Sequence, residues 1–420
     1  MTVSTAVRWT SISHPPRAPL AASIARLLFE RAVRQIPVRV TYPDGTVLGA
    51  GSPGCPEIDV VRPRAFFARL GRDTKIGFGE AYMAGDWRAG PGTDLADLLT
   101  PFAARLASLV PRPLQRLRTI VDKRIPAHHE NTLDGSRDNI SAHYDLSNDL
   151  FEAFLDPTMS YSAAWFDETG STTRTADAGG LEAAQLRKID GVLDFAGVTA
   201  GTRLLEIGTG WGALAIRAAQ RGALVTTVTI SAEQLALATE RVAQAGLSDL
   251  VDLRLQDYRE VEGEFDAIVS VEMIEAVGEA YWPVYFTTID RLLAPGGKVS
   301  IQAITMAHER VLATKRSFSW IQKYIFPGGI IPSLESIDHT LAAHTTLRVT
   351  QRRELGEHYA RTLHLWRQQF SEAWPRLNEL GFDETFRRMW EFYLGYCESG
   401  FRTGYLGLSQ LQMTRASAWS

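Results

Sequence analysis

The run LLEIGTGWG (204–212) is an apolar stretch that reaches Glu206 and then glycines at 208, 210 and 212, followed by the helix-like GALAIRAAQRG. Doubly wound sheets bind their ligands at the carboxyl ends of the strands, at the point where the strand order reverses. Glycine there lets a ligand come close to the backbone. Around this run, strand-like and helix-like stretches alternate. The strand candidates are RLLEIG (203–208), ALVTTVTI (223–230), VDLRLQDY (251–258), FDAIVSV (265–271) and GKVSIQAIT (297–305). The stretches SAEQLALATERVAQAG and YWPVYFTTIDRLL lie between them. This alternation predicts parallel βαβ units in an α/β, doubly wound, Rossmann-like domain. The closing YLGLSQLQMTR reads as a last strand, after two aromatic helices at 358–380 and 383–400.

Three readings of the glycine loop stand side by side: a turn without a ligand, a dinucleotide site and an S-adenosylmethionine site. A dinucleotide fingerprint needs G-x-G-x-x-G. Here Ala213 takes the last place and the glycine falls one residue early, at 212. The spacing from Glu206 through Gly208, Thr209 and Gly210 to Gly212 suits the compact sulfonium and carboxylate of S-adenosylmethionine. The second strand ends without the usual ribose-binding acid. It offers Thr229, Ser231 and Gln234, neutral groups able to hold a ribose. After the third strand, Gln256, Asp257 and Tyr258 stand where a carboxylate meets an adenine amino group, or where a strand end is simply solvated.

The chain has 420 residues, 45% of them hydrophobic and 22% charged, enough for two domains. Its net charge of −4 excludes a strongly basic nucleic-acid binder. Cys55 and Cys397 are too few for a disulfide framework or a structural zinc site, so no metal is expected. No secretory signal or membrane span is evident, and a reduced, cytoplasmic protein is expected. The charge is divided unevenly. Residues 1–137 hold 19 basic and 12 acidic side chains, whereas 138–420 hold 25 and 36.

Residues 1–110 read as a smaller N-terminal α+β domain. The helix-like APLAASIARLLFERAVRQ carries Leu20, Ile24, Leu27 and Leu28 on one face. A hairpin follows at Asp44-Gly45, and FGEAYMAGDW (78–87) reads as an aromatic turn. A basic linker at 111–137, with Pro111, Pro113 and Pro126, separates this domain from a catalytic one at 138–420.

With the glycine loop in place, NISAHYDLSNDLFEAFLDPTMSYSAAWF (139–166) resembles the signature of the cyclopropane-fatty-acid synthases and their relatives. The resemblance continues through IGFGEAYMAGDW (76–87), SVEMIEAVG (270–278), IQAIT (301–305), WIQKYIFPGGIIPS (320–333), HYARTLHLW (358–366) and MWEFYLGYCESGFRTGY (389–405), essentially the whole chain. It implies a methyltransferase domain that moves the methyl group of S-adenosylmethionine to a cis double bond in a membrane phospholipid. Tyr161 and Ser162 join the cofactor residues. A bicarbonate ion is the base, and the matching positions are Glu275 and Tyr359, with Gln302, Ile304 and Ala163. Gln302 stands where several relatives have histidine, and Ala163 where many have cysteine. His143 joins the catalytic set or closes a lid over the cofactor. Phe392, Tyr393 and Cys397 form an acyl-channel wall.

Each assignment has a structural rival: Glu275 as a helix cap, Tyr359 as a core tyrosine, the aromatic helix as core packing. The details SRDNISAHYDLSNDLF, QAITMAHERVLAT and WIQKYIFPGG most resemble actinobacterial enzymes that form 10-methylene chains, with the cyclopropane product as the alternative. A separate reductase would then act on the methylene group. A homodimer, docked peripherally on the inner face of the membrane, is expected. Two rivals of other kinds are a non-catalytic lipid-binding protein and a methyltransferase for small soluble acceptors.

Overall fold

The computed structural model describes residues 10–105, 147–167, 178–315 and 317–416. The expected linker and the boundary between the expected domains lie outside them. The described residues divide into two compact units. One holds residues 10–105 together with Ser317–Ile325 and Arg367–Tyr405, and the other holds the rest. Two stretches that the sequence reading assigns to the catalytic domain, the two after residue 316, therefore pack with the first unit.

The first unit has a four-stranded sheet, β1 (Arg39–Thr41), β2 (Val47–Leu48), β3 (Glu57–Val60) and β4 (Trp87–Ala89), in the order β2-β1-β3-β4. The Asp44-Gly45 turn joins β1 and β2 as an antiparallel pair, with Gly45 at φ 82°. FGEAYMAGDW is not a turn: Gly77–Ala84 is helical and ends at left-handed Gly85. Close packing explains its glycines, since a Cβ on Gly77 would meet the Arg69 carbonyl oxygen at 2.1 Å. The helix Glu384–Arg402 buries Phe392 and Tyr393. Phe392 lies 5.6 Å from Tyr82 and 4.9 Å from Trp320, ring centre to ring centre. Two of the three assigned wall residues, Phe392 and Tyr393, thus pack in the aromatic core of this unit. Burial pushes the Cys397 thiol up to about 12, which suits no nucleophilic role.

The second unit is a seven-stranded sheet of β5 (Arg203–Ile207), β6 (Leu224–Thr229), β7 (Val251–Leu255), β8 (Phe265–Val271), β9 (Leu293–Thr305), β10 (Leu347–Glu354) and β11 (Gly407–Arg415). Their order is β10-β11-β9-β8-β5-β6-β7. The five expected strands run parallel, and β11 enters antiparallel beside β9. Period-two alternation divides the strand side chains between two cores. Leu204 joins the helix Ala213–Gln220 on one face, and Leu205 joins Trp282–Leu292 on the other. The strand β10 was not legible in the sequence. It is an edge strand with three arginines and one glutamate, and such charged side chains keep an edge from pairing with another chain. The order reverses between β5 and β8, so the ends of these two strands open the crevice where a ligand is expected.

Glu398 is fully buried in the first unit between Arg367 and Arg402, which also reach Asp94 and Asp97. Removing the carboxylate leaves Arg367 desolvated without its main partner. Glu398→Ala should cost about 3–5 kcal/mol in denaturant unfolding; a loss below about 1 kcal/mol would show that the network contributes no more than surface pairs do.

Candidate active site

A cavity opens at the ends of β5, β6 and β8. Of the residues expected to hold the cofactor, Tyr161, Ser162, Glu206, Gly208, Thr209, Gly210, Thr229, Gln234, Gln256, Asp257 and Tyr258 line it. The three loop glycines all have positive φ, but for different reasons. Gly208 passes Met273 so closely that a Cβ would lie 2.8 Å from its side chain. Gly210 has open space where a Cβ would stand, which suits a close ligand. Gly212 lies outside the lining, caps a helix and faces Ala238, so its role is packing. Ser231 likewise lies outside, because its hydroxyl caps the helix Ala232–Gln244 by accepting from the Gln234 N–H. Thr229 donates to the Gln234 side-chain oxygen at 3.0 Å.

Two buried ionisable groups, Glu206 and Lys188, line the cavity. Glu206 accepts from the Thr227 hydroxyl at 2.7 Å, and burial pushes its carboxyl up to about 8. Lys188, which the sequence reading missed, donates to the Ser162 hydroxyl at 2.6 Å. Burial brings its ammonium down to about 8, against the pull of Glu272, Asp156 and Glu206. Asp257 caps the turn Tyr258–Glu260, and Arg259 occupies both of its oxygens, at 2.8 and 2.7 Å. Its carboxylate is thereby fixed rather than simply solvated.

Residues 157–162 are held at this cavity. Arg241 donates to the carbonyls of Pro157, Thr158 and Trp211, tying them to the glycine loop. Tyr161 stacks on Trp366 and meets Phe151 edge-on, forming an aromatic wall. His143 lies outside the described residues.

The expected anion site is arranged differently from the expectation. Ala163 N–H, Gln302 Nε2 and Tyr359 Oη converge on a carboxylate at 2.9, 2.9 and 2.8 Å, but that carboxylate is Glu272. Glu275 instead accepts from the Ile304 N–H, and its second oxygen is buried with no hydrogen-bond partner among the described residues. Burial and the nearby Glu272 push the Glu275 carboxyl up to about 8. The donors that the resemblance assigns to bicarbonate are therefore already taken by a side chain, and the site does not fit a free bicarbonate at that place.

Register explains the convergence. Val271 of β8 pairs with Gln302 of β9, and Gln302 faces Gln410 of β11. Gln410 Nε2 donates to the Gln302 side-chain carbonyl at 3.0 Å, which turns the Gln302 amide N–H toward Glu272. Glu272 has φ 53°; it and Met159, also at the cavity, are the non-glycine residues with positive φ among the described residues. A signal for Glu272 existed in SVEMIEAVG, where it follows the strand end directly, but residue spacing could not rank it against Glu275.

The mycolic acid cyclopropane synthetase family model matches residues 131–411. The tuberculostearic acid methyltransferase UfaA1 of Mycobacterium tuberculosis is 50% identical over 97% of this chain and 95% of its own length. The cyclopropane-fatty-acyl-phospholipid synthase of Escherichia coli is 34% identical over 83% of this chain and 86% of its own. Among solved structures, the mycolic acid cyclopropane synthase CmaA1 complexed with SAH and CTAB superposes with a TM-score of 0.59 at 31% identity. That match covers 66% of this chain and 97% of the other.

The raised Glu275 carboxyl has a consequence for stability. Below its unfolded value of about 4.5 both states hold the proton and the contribution is complete. As pH rises toward 8, the unfolded chain releases a proton that the folded chain keeps. Stability should then fall by about 1.4 kcal/mol per pH unit from this group. Urea unfolding of the cofactor-free protein across this window should show the loss, and Glu275→Gln should flatten it. An identical slope in the variant would contradict a neutral Glu275.

Proposed function

Because the chain belongs to the mycolic acid cyclopropane synthetase family of S-adenosylmethionine-dependent methyltransferases, we propose that its substrate is a cis double bond in an oleoyl-type acyl chain of a membrane phospholipid. The product is a 10-methylene branched chain. The observation that carries this reading is the likeness to a tuberculostearic acid methyltransferase along nearly the whole length. The cavity chemistry supports it, since an alkene is itself a nucleophile and needs no activated serine or cysteine.

The residues present fit S-adenosylmethionine, which supplies a methyl group on a sulfonium when bound. The glycine loop, with Glu206, Thr229, Gln234 and Asp257, would hold it. With it bound, the alkene π pair would take that methyl group, the carbon–sulfur pair leaving with sulfur. The positive charge falls on the neighbouring chain carbon. A 1,2-hydride shift followed by loss of a proton from the transferred methyl gives C=CH₂. Loss of the same proton without the shift closes a cyclopropane. Tyr161 lines the cavity, backed by Phe151 and Trp366, and this aromatic wall would keep water from the path. A reductase using the methylene product would complete a methyl branch.

Incubation with oleoyl phospholipid vesicles and S-adenosylmethionine, followed by proton NMR of the lipid, should show vinylidene signals. Upfield ring protons would assign the cyclopropane product instead. An unchanged lipid, with turnover on a soluble acceptor, would contradict a lipid substrate.

No described helix is long and apolar enough to cross a membrane. The helix Pro19–Val33 buries Ala25, Phe29 and Val33, while Leu20, Ile24 and Leu27 are 82%, 61% and 69% exposed. Such a face beside arginines suits the boundary of an anionic bilayer, where each basic residue adds about 1 kcal/mol. Replacing Leu20, Ile24 and Leu27 by serine should weaken binding to anionic vesicles at least tenfold and leave S-adenosylhomocysteine binding unchanged. Unaltered vesicle binding would remove this helix from the membrane contact.

A further inference from the structure

We propose that Glu272 is the catalytic base of this enzyme and takes the place of the bicarbonate ion that the resemblance implies. The inference rests on the proposed alkene methylation and assigns its proton-removing group.

Four observations converge on Glu272. Its carboxylate accepts from Ala163 N–H, Gln302 Nε2 and Tyr359 Oη, three of the groups expected to cradle the free anion. It borders the cofactor cavity, whereas Glu275 does not. Its backbone has φ 53°, a conformation that suits glycine and costs a glutamate about 1–2 kcal/mol. Strain of this kind persists where the surroundings hold it in place, and it gathers at active sites. Finally, the two departures from the family pattern fit a resident carboxylate. Gln302, in place of histidine, is oriented by Gln410 to donate. Ala163, in place of cysteine, contributes only its backbone N–H.

The proton step balances without a further reactant. A carboxylate oxygen of Glu272 forms an O–H bond as a C–H bond of the transferred methyl breaks. That C–H pair becomes the second bond of the exocyclic methylene group, which neutralises the cation. The proton passes to solvent after the product leaves. Burial raises the affinity of Glu272 for a proton, as a base requires, while Lys188 and its three donors keep the anion favourable enough to form.

The test is turnover of oleoyl phospholipid vesicles by the full-length enzyme in buffer stripped of carbon dioxide, with and without added bicarbonate. The wild type should be equally active in both. Glu272→Gln, which keeps the shape but cannot take the proton, should lose at least about 100-fold. Its affinity for S-adenosylhomocysteine should stay within about threefold, a change under 1 kcal/mol. Glu272→Gly relieves the backbone strain and empties the cradle, so bicarbonate should restore its turnover at least tenfold. Two results would overturn the proposal: a wild type stimulated tenfold by bicarbonate, or a Glu272→Gln variant retaining more than one tenth of turnover. The wild-type arm decides even where a variant does not fold. Absence of any wild-type turnover on unsaturated lipid would instead refute the substrate assignment.

Discussion

Three hydrogen bonds to one half-buried carboxylate hold the active site together. The Glu272 carboxylate joins the end of β8 to the loop at Ala163, to Gln302 on β9 and to Tyr359 on the helix Gly356–Glu379. Hydrogen bonds to a charged group are worth about 1.5–3 kcal/mol each, enough together to offset a left-handed glutamate. Four segments of the second unit meet at this point. The Gln410 contact extends it to β11, so the antiparallel strand next to the parallel ones contributes to orienting the site.

The same carboxylate reconciles the acid–base demands of the proposed chemistry. A cation forming on an acyl chain needs a dry cavity, and a dry cavity penalises every charge within it. Glu206 and Glu275 meet that penalty with carboxyl groups raised to about 8. Lys188 meets it by contact with Ser162 and by the nearby acids. Glu272 alone of the three glutamates receives donors from three different elements, which is what an anion needs in order to persist there.

Much of the fold was legible because its signals are local. Apolar runs in FDAIVSV and RLLEI mark strands buried on both faces, and glycines 208, 210 and 212 mark the turn between strand and helix. The edge strand β10 was hidden by its polar composition, and the helix Gly77–Ala84 by its glycines. Most of the residues expected to hold the cofactor line the cavity, and many of them stand at or just beyond a strand end, whereas Tyr161 and Ser162 follow no strand. The base was not legible. Glu272 and Glu275 stand three residues apart in one motif, and the choice between them depends on strand register and on one backbone angle, both long-range properties. The resemblance grouped Gln302 and Tyr359 with Glu275 around a bicarbonate ion, whereas in the structure both donate to Glu272. Lys188 was missed for a related reason: nothing near it in sequence marks a mid-helix lysine as buried.

The most direct test of a resident carboxylate is a crystal structure with S-adenosylhomocysteine bound, grown in bicarbonate. The account predicts the Glu272 carboxylate on Ala163 N, Gln302 Nε2 and Tyr359 Oη, with no separate anion among them. A planar three-oxygen anion on those donors, with the Glu272 side chain turned away, would contradict it.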